Sequence, residues 1–122
     1  MIKINSSEYI IRKLSLKDKN SLNIFFLSLS NEEKRFRFGY IPSSFHDEQL
    51  SEWSNPDNYR YFSFGLFKKI NNEFVLSGVT QAFVDINGEA EWAIVINKED
   101  SGFGLAKKMT KKLIKQLEMS EA

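Results

Sequence analysis

The residues best placed for chemistry form a glycine-containing turn, Ser101-Gly102-Phe103-Gly104-Leu105-Ala106, between a hydrophobic stretch and a lysine-rich one. A helix that begins directly after a strand exposes its first backbone N–H groups, and its dipole places partial positive charge there. Glycine at 102 and 104 removes β-carbons that would hold a phosphate away, and Ala106 keeps the next turn small. The turn predicts an anion site, although paired glycines also serve a plain strand-to-helix turn.

Two common phosphate-binding motifs do not fit this turn. A Rossmann site requires the turn after the first strand of a βαβ unit, with a further glycine and a downstream acidic residue. A Walker loop requires Gly-Lys-Ser or Gly-Lys-Thr, whereas Leu105 and Ala106 follow Gly104 here. The identity of the anion must therefore be inferred from the strands and helices around the turn.

Periodicity and turn signals predict a single α+β domain over residues 1–122, an α/β sandwich with a mostly antiparallel sheet flanked by helices. The predicted strands are residues 9–14, 59–67, 74–86 and 89–97, the last two joined by Asn87-Gly88. The predicted helices follow capping patterns at Ser15 with Asp18 and at Ser30 with Glu33, a further turn spans Asp47 to Trp53, and the last helix begins after Gly104. In that last helix Leu105, Met109, Leu113 and Leu117 recur every four residues.

Composition excludes several classes of function. Lys and Arg number 17 against 16 Asp and Glu, a net charge of +1, so nucleic acid is not an expected partner. The lysines of the last helix are expected to form its solvated face, or in part to attract an anion. With no cysteine there is no thiol nucleophile or thiolate metal site, and the single histidine, His46, predicts no metal centre. Without a long apolar run or a signal-peptide core, we expect a cytoplasmic protein with no membrane partner.

The order strand, helix, helix, three-stranded meander, glycine turn and helix resembles the GNAT N-acetyltransferase superfamily. Its acyl-coenzyme A signature is Gln or Arg, two residues, Gly, one residue, then Gly or Ala. The turn matches at Gly104 and Ala106 and departs at Ser101. A second register, Glu99 through Gly102 and Gly104, also fits the glycines but places an acidic residue first, so the first register is preferred.

Within the superfamily the chain is most similar to the acetyltransferase domain of Pat-type protein lysine acetyltransferases. Four stretches in order carry this resemblance: YIIRKLSLKD, LSNEEKRFRF, the strand with Leu76-Ser77-Gly78-Val79, and AEWAIVINKEDSGFGLAKKM. Arg12, Arg37 and Phe38 match family positions, and we interpret them mainly as packing and ion-pair residues.

The resemblance implies acetyl-CoA as co-substrate, without a metal. The strand before the turn would offer main-chain groups near Val95 and Ile96 to the pantetheine arm. The pyrophosphate would meet the N–H groups of residues 102–107, which are Gly102, Phe103, Gly104, Leu105, Ala106 and Lys107.

The resemblance also implies a general base, Glu91 of the AEWA stretch. An ammonium group with a pKa near 10.4 is not nucleophilic, so its proton must be removed. Alternation places Glu91, Ala93 and Val95 on one face of their strand, with Trp92 on the other. A solvated or ion-paired strand residue is the alternative role for Glu91.

Two functions from different classes follow. The first is an N-acetyltransferase that moves acetyl from acetyl-CoA to a primary amine, with protein lysine favoured over a small amine. The second is a non-catalytic coenzyme A-sensing or protein-interaction module derived from such an enzyme. The family fold continues beyond the last helix with further strands, so either the sequence is a fragment or a homodimer covers the open sheet edge.

Overall fold

The computed structural model describes residues 1–120, which form a five-stranded antiparallel sheet with helices on both faces. The α+β class expected from the sequence is confirmed. In chain order the elements are β1 (Ile2–Ile4), β2 (Ser7–Lys13), α1 (Lys19–Ser28), α2 (Asn31–Phe38), α3 (Asp47–Ser54), β3 (Tyr61–Ile70), β4 (Glu73–Val84), β5 (Ala90–Ile96) and α4 (Leu105–Ser120). The sheet order is β1-β2-β3-β4-β5.

The central meander forms where the turn residues predict it. Asn71 and Asn72 have φ of 51° and 65° between β3 and β4, a backbone conformation that asparagine tolerates better than most residues. Gly88 has φ of 80° between β4 and β5, and the Asp85 amide donates to the Glu89 carbonyl across that turn at 2.9 Å. Both hairpins of the predicted three-stranded unit are therefore confirmed.

Strand β1 is absent from the sequence-based prediction. It has only three residues and pairs with β2 through a tight turn in which Asn5 has φ of 55°. Three residues provide too little alternation for a periodicity signal. Pairing with β2 holds these three residues in an extended strand, although their own sequence contains no strand signal.

The two faces of the sheet carry separate apolar clusters. One lies under α1, α2 and α3, and its buried residues include Leu22, Phe26 and Val79. The other lies under α4, where Leu105, Met109 and Leu113 are each no more than 1% exposed. All five lysines of α4 are exposed, so they lie on the solvated face of the helix.

Local hydrogen bonds fix where the first helices begin. Ser30 and Glu33 form the expected capping box at α2, with the Glu33 amide donating to Ser30 Oγ at 3.1 Å. After Ser15 a 3-10 turn precedes α1, because Asp18 accepts from the Ser15 amide at 2.8 Å and from both terminal nitrogens of Arg12 at 2.8 and 2.9 Å. The ion-pair role expected for Arg12 is confirmed.

Candidate functional site

A cleft of about 780 Å³ lies between α2 and the end of the sheet formed by β4 and β5. Its lining comprises Glu32, Glu33, Phe36 and Arg37 of α2, Gln81 and Phe83 of β4, and Glu91, Trp92, Ala93, Ile94 and Val95 of β5. Acidic, basic and apolar groups therefore share one cavity.

Strand β5 presents Glu91 to this cleft. Val95, four residues later, packs with the cluster under α1, whereas Ile94 and Ile96 pack with the cluster under α4. Glu91 shares the Val95 face because side chains alternate along a strand. The carboxylate is exposed and stands opposite Phe83 in the β4–β5 register.

The outer edge of β5 is open within residues 1–120, since β5 pairs only with β4 there. The Asp85 amide donates to the Glu89 carbonyl, and the Asn97 amide donates to the Ser77 carbonyl. These two bonds fix which residues of β5 direct their main-chain groups toward β4, since such residues alternate along an antiparallel pair. By that alternation the main-chain groups of Ile94 and Ile96 point to the open edge, whereas those of Val95 face β4. Of the two residues expected beside a pantetheine arm, Ile96 offers main-chain groups and Val95 lines the cleft with its side chain.

The glycine turn leads from β5 into α4 through a 3-10 turn at Lys98–Asp100. Gly102 and Gly104 have φ of 85° and 79°, so both adopt a conformation that costs other residues strain. A β-carbon at either position would meet no atom within 4 Å, which leaves the space before the helix open. The first amide to reach back into the turn is that of Lys108, which donates to the Gly104 carbonyl at 3.2 Å. The amides before it lack helical acceptors.

The side chain of Ser101 is engaged within the turn itself. Its hydroxyl donates to the Lys98 carbonyl at 2.7 Å. The first position of the predicted coenzyme A signature thus closes the preceding 3-10 turn.

Asp100, directly before the glycine turn, is a fully buried carboxylate. Its Oδ1 accepts from the Tyr9 hydroxyl at 2.6 Å and lies 3.0 Å from Lys68 Nζ, while Oδ2 has no hydrogen-bond partner among the described residues. Burial is the largest cause that raises the pKa of Tyr9, and the hydrogen bond to Asp100 is the next. The hydrogen bond to the same carboxylate raises the pKa of Lys68. The sequence contains no local signal for this anchor, because the Tyr9–Asp100 bond spans 91 positions.

A second polar network forms the floor of the cleft. Gln81 is 1% exposed; its amide nitrogen donates to the Tyr61 hydroxyl at 2.7 Å, and that hydroxyl donates to the Trp53 carbonyl at 2.5 Å. Arg37 donates from a terminal guanidinium nitrogen to the Gln81 amide oxygen. Burial raises the pKa of Tyr61 to about 12, so this hydroxyl is a hydrogen-bond donor at neutral pH.

Phe38 and Arg37 differ in what they contact. Phe38 packs in an aromatic cluster with Phe26, Phe45 and Trp53, which confirms its packing role. The Arg37 guanidinium carbon lies 5.1 Å from the Phe38 ring centroid, and the residue also lines the cleft. The sequence indicates a packing or ion-pair role for Arg37 and does not indicate its place in the cleft.

Comparison with known proteins gives a consistent result at the level of fold. No protein-family model matches the sequence. The structure is similar to the GNAT domain of S. lividans PAT, with a TM-score of 0.74 and 18% identity over 90% of this chain and 65% of that one. It is also similar to a GNAT-family acetyltransferase from Streptococcus pneumoniae, with a TM-score of 0.69 and 17% identity over 93% of this chain and 69% of that one. An acetyltransferase from Trypanosoma brucei matches with a TM-score of 0.59 and 14% identity over 93% of this chain and 77% of that one.

This chain has the GNAT fold. It spans 65% of the length of the PAT domain it matches. Within residues 1–120 of this GNAT-fold chain, no group of three or more His, Cys, Asp or Glu side chains is placed to hold a metal ion. The helices of the same residues include none that is long and apolar enough to cross a bilayer.

Proposed function

We propose that this chain is an acetyl-CoA-dependent N-acetyltransferase that acts on a primary amine. One observation carries the proposal: Glu91, near the start of strand β5, lies in the cleft, and the end of the same strand leads into the glycine turn. The GNAT fold of the chain supports this assignment. A thioester co-substrate lying along the open edge of β5 would contact both features.

Acetyl-CoA would bind through main-chain groups. The amides of residues 102–107 would contact the pyrophosphate, since a helix N-terminus concentrates free N–H donors and partial positive charge. The open edge of β5 at Ile94 and Ile96 would bind the pantetheine amides as an additional strand does. The left-handed glycines at 102 and 104 support this role because no side chain stands in front of the amides.

Glu91 would act as the general base. It accepts a proton from the acceptor ammonium, directly or through water, and the freed amine attacks the thioester carbonyl. The C–N bond forms and the C–S bond breaks; the nitrogen then loses its second proton to give the amide, and the departing coenzyme A thiolate takes up that proton. Transfer is direct, because the chain has no cysteine to carry the acetyl group as a thioester.

Protein lysine is the proposed acceptor. The resemblance of the sequence to Pat-type protein lysine acetyltransferases supports this assignment, and the cleft opens beside the exposed Phe36 on α2, which leaves room for a bulky acceptor. A small primary amine is the alternative that the same cleft would admit.

We also propose that a second copy of the chain covers the open edge of β5 at Ala90 and Trp92, before the Ile94 and Ile96 groups assigned to the pantetheine arm. An unpaired strand edge offers free N–H and C=O groups that favour pairing with another strand. Trp92, 53% exposed on this strand, would be buried by such a contact. Light scattering would show a dimer, and a monomer would reject this part of the proposal. Cell fractionation would test the cytoplasmic location expected from the sequence.

The second candidate is a coenzyme A-sensing or interaction module without catalysis. Ser101 favours it, because its hydroxyl is engaged with Lys98 and cannot supply the long polar side chain of the family signature. Calorimetric titration with acetyl-CoA, followed by mass spectrometry of lysine peptides incubated with it, separates the candidates. Binding with acetylation supports the enzyme, binding alone supports the sensor, and no binding leaves the interaction module.

A further inference from the structure

Among residues 1–120, Arg37 is a cation in the cleft without a carboxylate partner. No Asp or Glu oxygen of residues 1–120 lies within 4.0 Å of its guanidinium nitrogens, whereas Arg12 has Asp18 at 2.8 Å. A guanidinium has about five N–H donors, and Arg37 uses one of its nitrogens to bond Gln81. Donors therefore remain for a ligand in the cleft that Arg37 lines.

Aromatic contacts account for only part of the Arg37 environment. The guanidinium carbon lies 5.1 Å from the Phe38 ring centroid and 5.9 Å from those of Phe26 and Trp53. Those rings are apolar neighbours that displace water without accepting N–H hydrogen bonds in the guanidinium plane. Burial lowers the pKa of Arg37, and a bound anion would counteract that effect.

The carboxylates of the cleft are placed differently. Glu33 is held at the start of α2, where its Oε1 accepts from the Ser30 amide at 3.0 Å. Glu32 and Glu91 are exposed. The cleft thus has negative charge in its solvent-facing parts and a half-buried positive charge beside the buried Gln81.

The phosphates of coenzyme A do not explain this positive charge. The glycine turn leads into α4, whose Leu105 and Met109 pack on the face of the sheet opposite to α1 and α2. Arg37 lies on the α2 side, so an anion at Arg37 belongs to the second substrate.

We propose that the acceptor is an amine that carries a carboxylate, with the carboxylate held by Arg37 and the amine near Glu91. This inference rests on the proposed function, since it describes the second substrate of that reaction. The carboxylate has two possible sources: the α-carboxylate of a free amino acid, or an Asp or Glu side chain beside a lysine in a protein. Arg37 is a binding residue that selects the acceptor.

Paired acceptors test the selection. One pair is L-lysine and L-lysinamide, and the other is a lysine peptide with Glu beside the lysine and the same peptide with Gln. We expect kcat/KM to be about 10- to 100-fold higher for the carboxylate member of one pair, as a charged hydrogen bond requires. A preference in the first pair identifies free amino acids as the source, and one in the second identifies proteins.

Arg37→Met should abolish that preference while the KM for acetyl-CoA stays unchanged, and Arg37→Lys should retain part of it. Arg35→Met is the matched control, because Arg35 lies on the same helix, is exposed and does not line the cleft. Where acetylation is observed, the proposal is overturned if neither pair shows a preference, or if Arg37→Met retains the preference.

A binding measurement tests Arg37 independently of catalysis. In wild-type protein the Arg37 Nε–Hε signal, assigned by its loss in Arg37→Lys, should shift on titration with the carboxylate member of one pair and not with its amide. If the signal responds to neither carboxylate, the inference fails even when acetylation is observed. If it responds while no acetylation occurs, the carboxylate site stands and the proposed enzyme activity fails.

Discussion

The Tyr9 hydroxyl donates a 2.6 Å hydrogen bond to the carboxylate of Asp100, across 91 positions of sequence. Tyr9 lies in β2, and Asp100 is the last residue before the glycine turn. Lys68 of β3 reaches the same carboxylate oxygen at 3.0 Å. The position of the turn relative to the sheet therefore depends on side chains from two strands that form no part of the turn.

Tyr9→Phe should loosen this attachment. The ring stays in the apolar cluster under α4, but Asp100 loses a hydrogen-bond donor. We therefore expect the free energy of unfolding, measured by urea denaturation, to fall by about 1–3 kcal/mol. The affinity for acetyl-CoA should fall several-fold because the amides of the turn are less well fixed. Tyr59→Phe removes a hydroxyl from a tyrosine that is 69% exposed and should change neither quantity. An unchanged acetyl-CoA affinity in Tyr9→Phe would show that the turn holds its conformation unaided.

The Arg12–Asp18 pair should make stability depend on acid pH. Burial raises the pKa of Asp18, but the hydrogen bonds from Arg12 and Ser15 outweigh it, so the net pKa lies below its ordinary value of 3.8. A carboxyl with a depressed folded pKa contributes stability that is present above the unfolded pKa and is lost as pH falls through the folded value.

Arg12→Met should therefore cost about 1 kcal/mol at pH 7, and the difference from wild type should shrink below pH 3.8. Urea unfolding across that pH range is the measurement. Lys17→Met, at an exposed position in the same 3-10 turn, should follow the wild-type curve at every pH. A constant difference between Arg12→Met and wild type would assign the loss to packing on Phe67, whose ring centroid lies 4.0 Å from the guanidinium carbon.

Local signals predicted the parts of this structure that short stretches of sequence determine. The Asn87-Gly88 turn, the Ser30–Glu33 capping box and the leucine spacing of α4 each depend on neighbours within a few positions, and each was predicted correctly. The contacts that complete the candidate site join distant positions. Arg37 bonds Gln81, 44 residues away, and no local pattern in an eight-residue helix indicates that partner. The sequence thus predicted the strand and the turn but not the polar groups that surround them.

Substitutions at two glycines should distinguish the cost of backbone strain from a loss of acetyl-CoA binding. Gly104→Ala forces a β-carbon onto a backbone with φ of 79°, which costs about 1–2 kcal/mol. Gly39→Ala is a matched control at the end of α2, with φ of 81° and the same open surroundings. Both variants should lose similar thermal stability, whereas only Gly104→Ala should weaken acetyl-CoA binding in calorimetry. Equal affinities in the two variants would remove the turn from the binding site.

The Glu91 carboxylate provides the sharpest test of catalysis. Glu91→Gln keeps the size of the side chain, replaces one acceptor oxygen with an NH2 donor and removes the ability to accept the ammonium proton at neutral pH. We expect kcat to fall roughly 100- to 10,000-fold, the usual range for loss of a general base. The dissociation constant for acetyl-CoA should not change, because the proposed contacts of the coenzyme are main-chain groups of β5 and the glycine turn.

Glu89→Gln is the control for this variant, since Glu89 is an exposed carboxylate beside the same hairpin and outside the cleft lining. It changes the net charge by the same amount and should leave kcat within about twofold of wild type, as expected for a solvated surface charge.

The pH dependence of activity distinguishes a general base from a structural residue. Activity lost in Glu91→Gln should partly return as pH rises toward the ordinary amine pKa of about 10.4, where the acceptor deprotonates without help. A Glu91→Gln enzyme with the wild-type kcat at pH 7 would assign deprotonation to solvent or to another group in the cleft.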